Sequence, residues 1–243
     1  MECEMNKSIV LRVCRSDMSS YGGFIWPTKG RVVAPDWEAT QECGHGLHGW
    51  FEAQGDAGYS NYLNEPDAKY LVLEVETDSI IHLDGKCKFP EADVIFVGSR
   101  DEAIAYIEET YPYLRTMPLL FSNRTVGDNN VVATGDFGTA TAGRYGTATV
   151  GDCGTATVGK YGTTTAGACG TATVGDCGTA RAGDRGTATA GECGTATAGS
   201  SGIIQIHYFT DRARIAIGYI EENGLKPNVK YKLDANHNFI EVT

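Results

Sequence analysis

From Gly135 to Ala198 the chain reads GDFGTATA GRYGTATV GDCGTATV GKYGTTTA GACGTATV GDCGTARA GDRGTATA GECGTATA, octads that follow one another without an insertion. The flanking GDNNVVAT (127–134) and GSSGIIQI (199–206) read as degenerate end units of the same array, as expected where stacked repeats need atypical caps. Within each octad a segment such as Thr155-Ala156-Thr157-Val158 alternates with period two. On a strand that places both threonines on one face and Ala or Val on the other. The intervening Gly-x-x-Gly is turn chemistry, with glycine expected to supply the positive φ of a tight corner. A strand and a corner repeated in register predict an octapeptide-repeat β-helix, an all-β solenoid, over 127–206. Ala and Val are placed inside, because buried threonine hydroxyls would need partners that a narrow core does not offer.

The number of octads per coil is read from what stacks. Two per coil set Tyr145 on Tyr161, Cys153 on Cys169 and Cys177 on Cys193, like on like; three per coil set Asp136 beside Lys160 and Lys160 beside Asp184, opposite charges together. The two patterns disagree, and two per coil is favoured. An antiparallel meander is the structural rival, but identical octads imply identical environments.

Composition supports two regimes. Glycine supplies 31 of 243 residues, with the excess concentrated between 127 and 202, where Leu, Ile, Phe and Trp are nearly absent. Order there must come from repetition rather than from a conventional core. The net charge of −11 resides in residues 1–110, which carry nine Lys/Arg against twenty Asp/Glu, whereas the remainder carries eleven of each. An acidic domain repels a phosphate backbone and no basic stripe is present, so direct nucleic-acid binding is not expected. The N-terminus has acids where a secretory signal has bases, and no apolar run is long enough to span a bilayer. A soluble, cytoplasmic protein without membrane association is expected, with its eight cysteines as free thiols.

The flanks read as small β-rich units. Ser8–Cys14, Gly23–Trp26, Tyr70–Glu76, Ser79–Leu83 and Asp93–Val97 read as strands, and Ser99-Arg100-Asp101-Glu102 is a capping box that opens a helix carrying Ala103, Ile104 and Ile107. An acidic α+β domain over 1–110, an extended linker over 111–126, the solenoid over 127–206 and a C-terminal β-hairpin cap over 207–243 follow. The cap rests on Ile203–Phe209, Ala213–Ile220, Lys230–Leu233 and Phe239–Val242, which suit it to covering an open solenoid end.

The motifs Tyr21-Gly22-Gly23-Phe24-Ile25-Trp26-Pro27, Ala34-Pro35-Asp36-Trp37, Cys43-Gly44-His45-Gly46-Leu47-His48-Gly49, Asp67–Val75 and Gly85-Lys86-Cys87-Lys88, with the tail Gly224-Leu225-Lys226-Pro227…Tyr231-Lys232-Leu233…Phe239-Ile240-Glu241-Val242, resemble an uncharacterised family of phage and bacterial proteins. That family often carries GTATAG-type repeats, so the resemblance implies the architecture and a phage-type origin. In order, Gly46-Leu47-His48, Tyr59-Ser60-Asn61-Tyr62 and the strand Tyr70–Glu76 are also similar to ADP-ribosyltransferases of the poly(ADP-ribose) polymerase type. That likeness implies Tyr62 stacked on a nicotinamide of NAD and Glu91 near the catalytic glutamate. The first strand, Val10-Leu11-Arg12-Val13-Cys14, lacks the histidine with which those enzymes hold the ribose, so a shared sheet without catalysis is the better expectation.

Further candidates come from side-chain chemistry. Cys43, His45 and His48 could hold Zn²⁺ with Cys14 or Cys87 completing a tetrahedral set, or His48 could simply hydrogen-bond within a Gly-rich turn. Variation confined to the third octad position makes Phe137, Tyr145 and Tyr161 candidate binding anchors. Outward Thr-x-Thr rows resemble the ice-matching faces of solenoid antifreeze proteins, with Arg181 interrupting the row. With no complete catalytic constellation and no cofactor expected, the sequence points to a non-enzymatic binding protein. A host protein or small ligand is the expected partner, for instance in counter-defence, and the solenoid is a spacer or homo-oligomerisation element.

Overall fold

The computed structural model describes residues 6–242 and divides between Leu120 and Phe121 into two compact units. Cys3 and the acidic start of the chain, residues 1–5, lie outside the described residues; the other seven cysteines are free. Among the described residues no helix is long and apolar enough to cross a membrane.

The N-terminal unit is a seven-stranded sheet with one α-helix. Its strands are β1 (Lys7–Cys14), β2 (Gly30–Val33), β3 (Leu47–Phe51), β4 (Lys69–Glu76), β5 (Ile81–Leu83), β6 (Lys86–Phe89) and β7 (Glu91–Gly98), in the order β2-β7-β4-β1-β3-β6-β5. Every pairing is antiparallel. Central β1 and β4 bury consecutive residues, Ile9-Val10-Leu11 and Tyr70-Leu71-Val72-Leu73. An unbroken apolar run of this kind belongs to a strand covered on both faces. Helix α1 (Arg100–Thr110) packs on β4 and β7 through Ala103, Ile104 and Ile107. It starts where the capping box predicts, with the Glu102 amide donating to Ser99 Oγ and the Ser99 amide to Glu102 Oε2. Gly23–Trp26 is not a strand, since Tyr21–Gly23 forms a 3-10 turn closed by a single Ser19–Ile25 bridge. Strands β2, β3 and β6 were not anticipated. Where an extended linker is expected at 111–126, Pro112–Thr116 forms a 3-10 turn, Leu114, Leu119 and Leu120 are buried, and Asn123–Thr125 is already a solenoid strand.

The second unit is a parallel β-solenoid of about five coils. Partners in the ladder are sixteen residues apart, as in Thr139↔Thr155↔Thr171↔Thr187 and Thr147↔Thr163↔Thr179↔Thr195. Each coil therefore takes two octads. Sheet I holds, from its first strand, 123–125, 139–142, 155–158, 171–174 and 187–190; sheet II holds 131–133, 147–150, 163–166, 179–182 and 195–197. Ala and Val line the interior in one continuous core, and the paired threonines face out except at Thr197, which is buried. Three octads per coil would have joined Lys160 to Asp136 and Asp184; instead Lys160 Nζ lies 2.7 Å from Asp176 Oδ2, one coil on.

The corners differ from the sequence expectation. The third octad residue carries the positive φ, between 55° and 63° at Phe137, Tyr145, Cys153, Tyr161, Cys169, Cys177, Arg185 and Cys193. The repeat glycines are needed for close approach. A Cβ on Gly151 would meet Asp136 of the preceding coil, its amide nitrogen at 2.7 Å, and one on Gly154 would sit 2.7 Å from Val150 Cβ. The second octad residue also has a function, since Asp Oδ1 accepts the backbone N–H of the next coil: Asp136 from Asp152 at 2.8 Å, Asp152 from Ala168 at 2.7 Å and Asp184 from Ser200 at 2.9 Å.

At the C-terminal end both sheets change to antiparallel pairing. Ile203–Phe209 extends sheet I and pairs with Ala213–Tyr219, while Tyr231–Leu233 and Phe239–Glu241 close sheet II. Ile204, Ile206, Ile220 and Tyr231 extend the Ala/Val core with larger side chains, and Leu225, Val229, Leu233 and Phe239 pack against it. The tail thus covers apolar surface that another coil would otherwise cover.

Candidate functional site

Two surfaces carry the candidate chemistry, one on each unit. On the solenoid, alternation along each strand and the sixteen-residue coil sort the threonines into two arrays. Sheet I presents Thr139/Thr141, Thr155/Thr157, Thr171/Thr173 and Thr187/Thr189 in unshifted parallel register. Sheet II presents Thr147/Thr149, Thr163/Thr165, Thr179/Arg181 and Thr195, with Thr197 buried. Arg181 was expected to break the one row, but it lies on sheet II only, so the sheet I array is uninterrupted. Threonines are about 4.8 Å apart between coils and about 6.7 Å apart along a strand, forming a two-dimensional lattice of hydroxyls and methyls. β-branching holds each side chain to few rotamers. The lattice ends at Ile203 and Gln205, with Thr189 Oγ1 3.2 Å from Gln205 Oε1.

The aromatic anchors are only partly brought together. Tyr145 and Tyr161 stack with centroids 5.1 Å apart and planes 10° from parallel. Phe137 occupies the opposite corner, beside Phe121 at 5.9 Å. All three are exposed, but they form no single anchor set.

On the N-terminal unit a cleft of about 370 Å³ opens beside β1 and β3, bordered by residues 43–44 and 59–62. Arg12 on β1 reaches it with Nη1 donating to the His48 carbonyl at 3.1 Å and with its guanidinium 5.5 Å from the Trp26 ring centroid; its Nε is buried without a partner. Lys86 on β6 sets Nζ 2.9 Å from Cys43 Sγ and 5.0 Å from the Tyr59 ring centroid. Fully buried Lys88 fixes the 40–44 loop, donating to Thr40 Oγ1, the Glu42 carbonyl at 2.8 Å and the Gly44 carbonyl. His48 Nε2 accepts from the Gly44 amide, and burial reinforced by the nearby Lys86 and Arg12 charges holds the imidazole neutral, pushed down to about 4. Tyr62 lines the same cleft, nearly buried, with Arg15 5.2 Å from its ring centroid.

The sequence-derived sites disperse around this cleft. Glu91 is not in it: on β7 it pairs with Arg31 and lines a separate small cavity with Lys7, Glu74 and Asp93, so Tyr62 and Glu91 do not share one site. Cys43, His45 and His48 form no cluster able to hold a metal among the described residues. His45 turns to Asp36 and Glu38, at 3.8 and 3.9 Å, and Cys43 to Lys86. Cys14 and Cys87 are buried core thiols, pushed up by burial to about 11 and about 12, and complete no ligand set. Sequence reasoning missed Arg12 and Lys86. Their signal was a cation inside an otherwise apolar strand and a Lys-x-Lys strand in an acidic domain.

These surfaces define the class: a β-solenoid with a lattice of outward threonines, in one chain with an antiparallel α+β domain. Residues 8–105 match the family described as "Domain of unknown function (DUF7666)". The chain is 36% identical over 105 residues to an ice nucleation protein of Pseudomonas fluorescens, covering 42% of this chain and 8% of that protein. It is 35% identical over 105 residues to one of Pseudomonas syringae, covering 42% and 9%. To one of Xanthomonas campestris pv. translucens it is 34% identical over 110 residues, covering 44% and 7%. The matched segment thus spans less than a tenth of these relatives' length. No solved structure matches the chain.

Proposed function

We propose that this chain is a non-enzymatic scaffold whose solenoid presents the sheet I threonine lattice to ordered water at an ice surface. The uninterrupted, unshifted ladder from Thr139/Thr141 to Thr187/Thr189 carries the reading. Rigid hydroxyls and methyls repeated in two dimensions hold hydration water in a fixed pattern, and little side-chain entropy is left to lose on contact. The named activity of the ice nucleation relatives supports the same surface chemistry. The lattice here is a few coils long and two threonines wide, so it attaches to existing ice rather than seeding new crystals in warm supercooled water.

Ice-affinity capture tests this reading: protein is frozen slowly from dilute solution and the fraction incorporated into the ice is measured. The wild-type chain is captured. Thr157→Tyr with Thr173→Tyr on sheet I brings incorporation to background, whereas Thr149→Tyr with Thr165→Tyr on sheet II leaves it unchanged. Tyrosine suits an exposed strand, so both variants retain the fold. Exclusion of the wild type from ice, or equal loss from both faces, rejects the proposal.

A further inference from the structure

The cleft on the N-terminal unit is independent of the threonine lattice and has a chemistry of its own. No Asp or Glu lines it, although residues 1–110 carry twenty of them against nine Lys/Arg. Elsewhere in this unit Lys7, Arg15, Arg31 and Arg100 each meet a carboxylate. Arg12 and Lys86 meet none among the described residues; they reach a carbonyl, a thiol and aromatic rings. A guanidinium whose Nε is buried without an acceptor is a costly arrangement in the absence of an anion, because desolvated charge is stabilised only by an opposite charge or a full set of hydrogen bonds. Neutral His48, which also lines the cleft, adds no further positive charge. The remaining wall is aromatic: Tyr21 is 89% exposed and Tyr59 47% exposed, with Tyr62 deeper. The cleft volume of about 370 Å³ falls in the range of small-molecule sites.

We propose that this cleft binds a small nucleoside phosphate, its phosphate held by Arg12 and Lys86 and its base against the exposed faces of Tyr59 and Tyr21. Arginine's planar fork suits phosphate oxygens, and tyrosine faces stack on any base. A phosphate without a ring leaves the tyrosines unused, and a ring without a phosphate leaves the cations unused.

Isothermal titration of the full chain with AMP, adenosine and inorganic phosphate tests both halves. AMP is expected to bind, with adenosine and phosphate each weaker by about tenfold or more, the scale of one charge-assisted hydrogen bond. Lys86→Met weakens AMP by about tenfold at unchanged melting temperature, because Lys86 does not belong to the core; Arg12→Lys does the same where it folds. Tyr59→Ala, on the cleft wall, reads the ring contact by a loss of similar size. Absence of heat with AMP and CMP at millimolar concentration overturns the proposal. So does phosphate binding as tightly as AMP, or AMP affinity indifferent to Lys86→Met.

Discussion

Thr164 takes the inward strand position that Ala holds in the other seven uninterrupted octads, and its Oγ1 is buried without a partner. A stranded hydroxyl costs roughly 1–3 kcal/mol. Thr164→Val keeps the branched shape and removes the unpaired group, so it should raise stability by about 1 kcal/mol or more, seen as a higher urea midpoint at unchanged slope. A lower midpoint would show that the hydroxyl has an acceptor. The corners make a second residue-level prediction. Gly151→Ala pushes a Cβ into the Asp136 backbone of the neighbouring coil and should cost about 2 kcal/mol or more. Cys153→Gly relieves a left-handed residue at the expense of unfolded-state entropy, and should stay within about 1 kcal/mol of wild type. The opposite ranking would return the positive φ to the glycines. His48 supplies a pH dependence of definite sign. It titrates near 6.5 when unfolded and about 4 when folded, so its contribution is complete above about pH 6.5 and is lost as the pH falls toward 4. Between pH 7.5 and 5.0 the melting temperature of the wild type should fall further than that of His48→Gln; parallel curves would place the acid sensitivity elsewhere.

At the scale of elements, the octad announces itself because its strand and corner repeat with little change, so the period, the inward Ala/Val and the outward threonines could all be read before any coordinates. Which corner residue turns left-handed could not be read from propensity. Glycine is the residue suited to positive φ, yet here the inter-coil spacing claims the glycines and leaves the turn to Cys, Tyr, Phe and Arg. On the N-terminal unit, the continuous apolar runs of β1 and β4 were legible. Strands β2, β3 and β6 were not, because they are short and mix Gly, His and Lys with apolar residues. The cleft was legible only as separate residues, since positions 12, 48, 62 and 86 meet through sheet order and share no spacing. The second octad position repeats Asp for a reason that can be tested at this scale. Asp152→Ala removes the acceptor for the Ala168 amide and should cost about 1 kcal/mol. Lys160→Ala, which breaks an exposed ion pair with Asp176, should cost less than that. Equal losses in chemical denaturation would mean that the Asp column does not join the coils.

For the whole solenoid, the sixteen-residue coil makes the consequences of insertion depend on parity. Duplicating residues 151–166 adds one coil, keeps every downstream strand on its own sheet and lengthens the uninterrupted threonine lattice by a strand. Duplicating only 151–158 moves every following strand to the opposite sheet. Arg181 then moves to sheet I, an uninterrupted threonine row runs instead on sheet II through Thr147, the copied Thr155, Thr171 and Thr187, and the cap strands move together with the strands they pair with. Since a stacked array gains stability by nearest-neighbour interfaces, the full-coil duplication should unfold cooperatively at an equal or higher melting temperature. The half-coil duplication keeps the cap on its partners and separates Tyr145 from Tyr161 at the junction, so it should melt no higher than the full-coil variant. The same pair of variants addresses function: incorporation into ice should rise with the added coil, which lengthens the row, and stay near wild type with the added octad, which moves a row of unchanged length to the other sheet. If incorporation into ice rose no further with the added coil than with the added octad, the one-faced threonine lattice could not stand.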